Sequence, residues 1–259
     1  MGSTFSPDQL ERYARNLVLP GWGVEAQQRL QEARVLVIGS GGLGSPCLFQ
    51  LAAAGVGHLT IVEGDTIELS NLNRQILHTT ERLGRTKVSS AGETLQALRP
   101  DLDLTLIEAR FTADNALELL ADCDLFIDAS DNYDTRFLAN DAAVLGGKRL
   151  VHGSVFRYEG QLMDVLPGEG PCLRCLYPAP PPPGTMPSGA EAGVPGYVPG
   201  VVGTLQAAEA VKLITGIGEP VVGRMIVFDS LYMWFDELKV QRDPECAACG
   251  DAPTLTSLR

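Results

Sequence analysis

Residues 34–44 read RVLVIGSGGLG, a short apolar run that ends in a cluster of glycines. The run is rich in β-branched residues and predicts a buried strand. An Ala- and Leu-rich stretch up to Ala54 predicts a helix after the glycines, and the apolar run His58–Val62 predicts a second strand. Strand, glycine turn, helix and strand make up the βαβ unit of a parallel sheet.

The rest of the 259-residue chain continues this alternation and predicts one α/β domain over residues 1–259. Residues 8–33 predict a helical arm with a break at Pro20 and Gly21, residues 34–166 a nucleotide-binding core, and residues 167–250 paired cysteines, a crossover loop and the end of the sheet. Further strands are expected at 104–107, 125–129, 150–155, 161–165 and 225–228, and further helices at 85–98, 135–145 and 204–214. This order predicts a Rossmann-like, doubly wound sheet that is mostly parallel and becomes antiparallel towards the C-terminus.

Composition and charge exclude several classes of protein. With 45% hydrophobic and 20% charged residues, the chain is neither disordered nor fibrous. The 20 Lys and Arg residues face 32 Asp and Glu residues, and the resulting acidic charge argues against nucleic acid as the main partner. Since the sequence shows neither a long apolar span nor a signal-peptide core, we expect a cytoplasmic protein without a membrane partner.

The glycine turn predicts a phosphate-binding site. Gly39, Gly41 and Gly44 fit the pattern G-x-G-x-x-G between a strand and a helix, with Gly42 in the same turn, so main-chain N–H groups should face an anion. Glu63 ends the second strand, where an acid accepts hydrogen bonds from ribose hydroxyls. Together they indicate an adenosine nucleotide, and the absence of a G-x-x-x-x-G-K-[ST] pattern excludes a P-loop ATPase. Glycines that serve only close helix–strand packing are the alternative.

The residues that follow this acid suit a triphosphate better than a dinucleotide. Two cations and two amides beyond the carboxyl end of a strand can neutralise phosphate charge while the α-phosphorus is attacked. Taken singly, each of these side chains is also typical of a solvated surface. The cations are Arg74 and Lys87, the amides are Asn71 and Gln75, and the acid Asp65 lies beside them in the sequence.

A second acidic position follows the strand expected at 125–129. Asp131 and Asn132 lie where that strand ends, which is the usual crevice position in open α/β sheets. Asp131 can hold Mg²⁺ through one carboxylate oxygen, because that ion binds one or two carboxylates together with phosphate. An N-cap for the next helix is the alternative for Asp131 and is compatible with the metal role.

Four of the six cysteines form two C-x-x-C pairs, which predict a metal site. Two such pairs make a closed tetrahedral site for structural zinc. A redox role is the alternative, but it would require a thioredoxin-like unit around one pair. Cys47 and Cys123 are expected to be small buried side chains. The paired cysteines are Cys172, Cys175, Cys246 and Cys249.

A proline-rich segment follows the first cysteine pair. Residues 176–199 hold eight of the seventeen prolines and predict a long irregular loop. Loops of this length in compact domains are either functional lids or disordered linkers, and both remain open here.

In this order, the motifs resemble the ubiquitin-activating superfamily. The chain resembles in particular its bacterial homodimeric branch, the MoeB/ThiF-type sulfur-carrier protein adenylyltransferases, over roughly residues 8–250. The combination is more specific than any single motif. It consists of RYARN at 12–16, the glycine turn, the block 71–75, Lys87, the triplet Ser130-Asp131-Asn132, the cysteine pairs and residues 200–212.

The resemblance implies an activity and a set of roles. ATP and Mg²⁺ would activate the C-terminal Gly-Gly carboxylate of a small ubiquitin-like sulfur carrier as an acyl adenylate and release pyrophosphate, for sulfur incorporation into molybdopterin, thiamine or thiolated RNA. Glu63 would hold the ribose, Asp131 would serve magnesium, and Arg15 would reach into the ATP site of a partner subunit in a homodimer. The phosphates would be surrounded by Asn71, Arg74, Gln75 and Lys87.

One position departs from the family pattern. Many members carry a cysteine in the crossover loop where this chain has Gly189. The departure predicts direct passage of the adenylate to a separate sulfur donor, without a covalent enzyme–carrier link in this loop. We also expect no appended sulfurtransferase domain, since the chain runs only to Arg259.

Two other functions compete with this interpretation. A nicotinamide-dependent oxidoreductase would explain the glycine turn and Glu63 but leaves Arg74, Lys87 and Asp131 unexplained. A nucleotide-gated scaffold would bind a ubiquitin-like partner without chemistry, although the full set of phosphate-site residues argues against it.

Overall fold

Eight strands form one sheet in the computed structural model, which describes residues 5–182, 184–185, 187 and 189–258. Pro183, part of the proline-rich loop, lies outside the described residues. The strands are β1 (Arg34–Ile38), β2 (His58–Val62), β3 (Asp103–Ile107), β4 (Leu125–Asp128), β5 (Arg149–Phe156), β6 (Glu159–Val165), β7 (Arg224–Asp229) and β8 (Trp234–Lys239). The α-helices are α1 (Pro7–Arg12), α2 (Ala14–Leu17), α3 (Gly23–Glu32), α4 (Gly44–Ala54), α5 (Lys87–Leu98), α6 (Ala116–Leu120), α7 (Tyr133–Gly146), α8 (Leu173–Leu176), α9 (Gly189–Ala192) and α10 (Tyr197–Thr215). Two 3₁₀ helices span Leu69–Asn71 and Thr80–Arg82.

The strand order is β3-β2-β1-β4-β5-β6-β7-β8. Strands β1 to β5 pair in parallel, and β6, β7 and β8 add antiparallel strands to one edge. This arrangement confirms the expected mixed, doubly wound sheet. The strand order reverses between β1 and β4, and in such sheets the carboxyl ends of the strands at the reversal form the ligand crevice.

The core lies on both faces of the sheet, which explains the continuous apolar character of β1. Successive strand side chains point to opposite faces. Val35 and Val37 therefore join one buried cluster, which includes residues of α3, α4, α5 and α10, whereas Leu36 and Ile38 join another, which includes residues of α6 and α7. None of the described helices combines the length and the apolar character that crossing a membrane requires.

Several elements differ from the sequence-based expectations, among them the short helices α6, α8 and α9, which were not predicted. The arm at 8–33 consists of three helices, because it breaks at Tyr13 as well as around Pro20. Helix α10 begins at Tyr197, earlier than expected, since Pro199 lies in the first turn, where a helix requires no main-chain donor. Strand β8 was not predicted, because all six of its residues are exposed and its sequence, WFDELK, lacks an apolar alternation.

Candidate active site

A cavity of about 690 Å³ opens at the carboxyl ends of β1, β2 and β4, at the point where the strand order reverses. Its wall brings together ten of the predicted site residues, which come from distant parts of the chain. These residues are Gly39, Gly41, Gly42, Glu63, Asp65, Arg74, Gln75, Lys87, Asp131 and Asn132.

The glycine turn lines one side of this cavity. Gly39 has a φ of +93°, a backbone conformation that glycine adopts without steric cost. A Cβ on Gly44 would lie 2.0 Å from the carbonyl oxygen of Gly39, so the turn closes tightly only without a side chain there. Gly44 thus serves packing and is not part of the cavity wall, whereas Gly41 and Gly42 line it.

Glu63 is held in place by main-chain donors. Its two carboxylate oxygens accept hydrogen bonds from the N–H of Ser40 at 3.0 Å and from the N–H of Asp65 at 2.9 Å. The carbonyl of Ser40 in turn accepts from Nε2 of His78 at 3.1 Å. Burial lowers the pKa of His78 to about 4, so this ring stays neutral and supports the glycine turn without adding charge.

Basic side chains surround Asp65 at the next part of the wall. The ammonium of Lys87 lies 3.2 Å from one Asp65 oxygen, and the guanidinium of Arg110 lies 3.0 Å from the other. Lys87 is buried, whereas the side chain of Arg110 is 80% exposed. Oε1 of Gln75 is buried and has no hydrogen-bond partner among the described residues. The wall thus holds cationic groups that can bind phosphate and an unpaired amide oxygen that can accept a hydrogen bond from a ligand.

Asp131 faces the same cavity from the loop after β4. The cap of α7 is Asn132, whose side chain accepts a hydrogen bond from the N–H of Thr135 at 2.8 Å. The alternative that Asp131 serves as N-cap is therefore wrong. Asp131 is exposed and its carboxylate accepts no hydrogen bond from the described residues, which leaves it available to a cation.

A buried acid–imidazole pair lies behind this loop and was missed by the sequence analysis. Asp128 ends β4 with no exposed surface, and its Oδ2 lies 2.9 Å from Nδ1 of His152. Its Oδ1 accepts hydrogen bonds from the N–H and the hydroxyl of Ser130. Burial alone would raise the pKa of Asp128, but the hydrogen bonds from His152 and Ser130 outweigh it and hold the pKa below its usual value.

Further cavity residues also escaped prediction. Arg110 follows β3, so the rule that placed Glu63 at a strand end could have found it. Arg157 lies in the β5–β6 hairpin with a φ of +55°, and no local signal connects it with the nucleotide crevice. The crossover segment contributes Ala192, Gly193 and Val194 to the wall.

Besides Gly44, two predicted residues lie outside the cavity wall. Arg15 is exposed on α2 and does not line the cavity of its own chain. Asn71 is buried, and its Oδ1 accepts from the N–H of Glu68 at 3.0 Å, so it caps the 3₁₀ helix that precedes Arg74.

A second cavity of about 380 Å³ adjoins the first. Val155 and Phe156 belong to the walls of both cavities. The second cavity is lined by aromatic rings, by Arg136 and His152, and by Tyr177, Ala179 and Pro181 from the start of the crossover loop. The crossover segment therefore borders both cavities.

The paired cysteines come together in space. One sulfur atom from each of the four residues lies within 4.8 Å of all the others. Tetrahedral thiolate ligands about 2.3 Å from a zinc ion are about 3.8 Å apart, so this cluster could hold a metal ion. Burial and the neighbouring cysteines raise the pKa of the Cys172 thiol, a cost that a bound cation would offset. Cys47 and Cys123 are buried elsewhere, as predicted.

Comparison with known proteins agrees with this architecture. A sulfur carrier protein adenylyltransferase of Thermus thermophilus is 50% identical over 98% of this chain and 96% of its own length. A probable adenylyltransferase/sulfurtransferase, MoeZ, of Mycobacterium tuberculosis is 47% identical over 99% of this chain and 65% of its own length. The crystal structure of E. coli MccB shares the fold, with a TM-score of 0.84 and 21% identity over 97% of this chain and 75% of that chain. The ThiF family model matches residues 13–248, and the chain belongs to the ThiF family.

Proposed function

We propose that this protein is a sulfur carrier protein adenylyltransferase, which uses ATP to activate the C-terminal Gly-Gly carboxylate of a small ubiquitin-like carrier. The observation that supports this most directly is the single cavity that gathers the glycine turn, Glu63, Arg74, Lys87 and Asp131. The activity in the name of the Thermus thermophilus relative agrees with it.

We assign the nucleotide to the cavity of about 690 Å³. Glu63, oriented by two main-chain N–H groups, accepts from the ribose hydroxyls. Main-chain N–H groups at Gly41 and Gly42 and the N-terminus of α4 face the phosphates. Arg74 and Lys87 neutralise phosphate charge, and Lys87 must exchange its contact with Asp65 for one with phosphate.

The reaction forms one bond and breaks one. A carboxylate oxygen of the carrier attacks the α-phosphorus, and the bond from that phosphorus to the bridging oxygen breaks as pyrophosphate leaves. Asp131 fits a magnesium ligand because it offers a carboxylate without internal hydrogen bonds at the cavity wall. A bound Mg²⁺ would neutralise charge that develops on the phosphates.

The crossover segment 176–199 is assigned the role of a lid or guide for the carrier's tail. Its described residues border both cavities, and its prolines and glycines allow a stiff segment with hinge points. A hydrolysable adenylate requires shielding from water. With Gly189 at the start of α9, we infer that the adenylate passes directly to a separate sulfur donor.

A homodimer would complete the site. Arg15 does not line its own chain's cavity, and beside it Val18 and Leu19 expose 76% and 49% of their surface. Covering these apolar side chains would favour association. We infer that Arg15 reaches into the partner's ATP cavity.

The four-cysteine cluster is assigned to structural zinc. The cluster joins α8 to the C-terminal segment, and four thiolates leave no open coordination position for chemistry.

Pyrophosphate exchange tests the proposal. With a cognate Gly-Gly carrier and Mg²⁺, the protein should exchange labelled pyrophosphate into ATP, and Asp131→Ala should abolish the exchange. Asp114→Ala, which removes an exposed acid outside the cavity, is the matched control and should retain it. Exchange that persists undiminished without a carrier, or hydride transfer to a nicotinamide, would refute the assignment.

A further inference from the structure

His152 lines the second cavity, and hydrogen bonds through Asp128 link it to Ser130, which lines the first cavity. His152 belongs to β5 and exposes 2% of its surface. Its Nδ1 donates to Oδ2 of Asp128 at 2.9 Å. A buried histidine beside a buried carboxylate is costly unless each satisfies the other, so this pair is held in one orientation.

The other oxygen of the Asp128 carboxylate holds the loop that carries Asp131. Oδ1 of Asp128 accepts from the N–H of Ser130 at 3.0 Å and from its hydroxyl at 2.6 Å. Ser130 immediately precedes Asp131, and both line the first cavity. The carbonyl of Asp128 accepts from Nε2 of Gln206 on α10 at 2.6 Å. The path from His152 to Asp131 therefore runs through one fully buried carboxylate.

We propose that His152 is a positioning residue for magnesium-dependent nucleotide binding, which holds Asp128 so that the Ser130–Asp131 turn presents Asp131 to the cavity. This inference rests on the magnesium role proposed above for Asp131. Removing a residue that orients a metal ligand through hydrogen bonds commonly lowers the metal affinity on the order of tenfold. The imidazole of His152 also forms part of the wall of the second cavity. A ligand bound there would therefore affect the hydrogen bonds that link His152, Asp128 and Ser130.

The substitution of choice keeps the volume and removes the donor. In His152→Leu the Oδ2 of Asp128 loses its hydrogen bond, and the carboxylate is free to rotate away from Ser130. His152→Asn places an amide N–H close to the position of Nδ1 and should restore the contact. His58→Leu is the control. His58 forms a histidine–carboxylate pair with Asp103 at 2.7 Å, but this pair is partly exposed and lies at the start of β2, away from the residues that line the first cavity.

The measurement is the affinity for a non-hydrolysable ATP analogue, by calorimetry, with and without Mg²⁺. We expect His152→Leu to reduce the gain in affinity from Mg²⁺ on the order of tenfold, with magnesium-free binding unchanged. His152→Asn should recover most of the gain, and His58→Leu should keep all of it. Replacing a residue with a purely structural role would lower the melting temperature without changing the ratio of the affinities with and without Mg²⁺.

Two further variants separate the possible failures. If Asp131→Ala leaves the magnesium gain intact, the magnesium role of Asp131 is wrong and the inference fails with it. If Asp131→Ala removes the gain and His152→Leu does not, only the role of His152 is refuted. Should His152→Leu not fold, Ser130→Ala decides instead, because it removes the hydroxyl donor from the same carboxylate; an unchanged magnesium gain in that variant overturns the proposal.

Discussion

Replacing Asp164 by asparagine should make the protein more stable, and increasingly so as the pH rises. Asp164 on β6 has no exposed surface, and Glu209 on α10 is also buried. Both carboxyl groups accept a hydrogen bond from the same N–H, that of Val221, at 3.0 Å each. Lys212 forms an ion pair with Glu209, so one cation serves two acids. Burial, and secondly the proximity of Glu209, raises the pKa of Asp164 to about 8.

The sign of the pH dependence follows from proton binding. Between about pH 4 and pH 8 the native state keeps a proton on Asp164 that the unfolded chain has lost, because the ordinary pKa of the group is 3.8. The native state therefore binds more protons, and the free energy of unfolding falls as the pH rises, by about 1.4 kcal/mol per pH unit. From pH 5 to pH 8 this amounts to a loss of about 4 kcal/mol.

Asparagine resembles the protonated form of the acid at every pH. Its carbonyl can accept from Val221 and its amide can donate to Glu209, so Asp164→Asn removes the titration and keeps the contacts. In a domain of this size 1 kcal/mol corresponds to about 2 °C in melting temperature. The melting temperature of the variant minus that of the wild type should therefore grow by about 8 °C between pH 5 and pH 8.

The assay is thermal unfolding followed by circular dichroism at half-unit pH steps. Asp114→Asn, at an exposed position, is the control and should give a difference that is independent of pH. A constant difference for Asp164→Asn, or one that shrinks as the pH rises, would show that Asp164 is already ionised in the native protein.

The proposed zinc site, homodimer and lid can each be tested by experiment. Metal analysis of freshly purified protein should find one zinc per chain on the four-cysteine cluster, and its removal by a chelator should lower the melting temperature more than it changes the chemistry; protein without zinc would contradict this. Mixing Arg15→Ala with Asp131→Ala protein should regenerate part of the exchange activity, because one site of each heterodimer keeps both residues; mixtures that stay inactive after subunit exchange would place Arg15 in its own chain's site or outside catalysis. Deletion of residues 180–183 should reduce the yield of carrier adenylate, and full activity after the deletion would refute the role of the segment as a lid. Mass spectrometry without reductant should find no enzyme–carrier adduct, and an adduct at Cys47 or Cys123 would refute direct transfer.

Local sequence was sufficient where a feature depends on neighbouring residues. The run before Gly39 and the glycines after it fix a buried strand, a tight turn and a helix, since backbone geometry and apolar periodicity act over a few residues. The carboxyl ends of parallel strands meet at one edge, so Glu63 and Asp131 were expected in the same crevice, where the structure places them. The spacing of the cysteines likewise predicted one cluster.

Tertiary structure decided what depends on contacts between distant segments. His152 is one residue in an apolar strand, and only the pairing of β4 with β5 brings it next to Asp128. Arg157 enters the cavity wall through the antiparallel hairpin. The pKa of Asp164 is raised by burial and secondly by Glu209 on α10. Arg15 does not line the cavity of its own chain, so the role proposed for it requires a second chain. Burial and charge proximity are properties of the folded chain, because they arise from groups that the sequence keeps far apart.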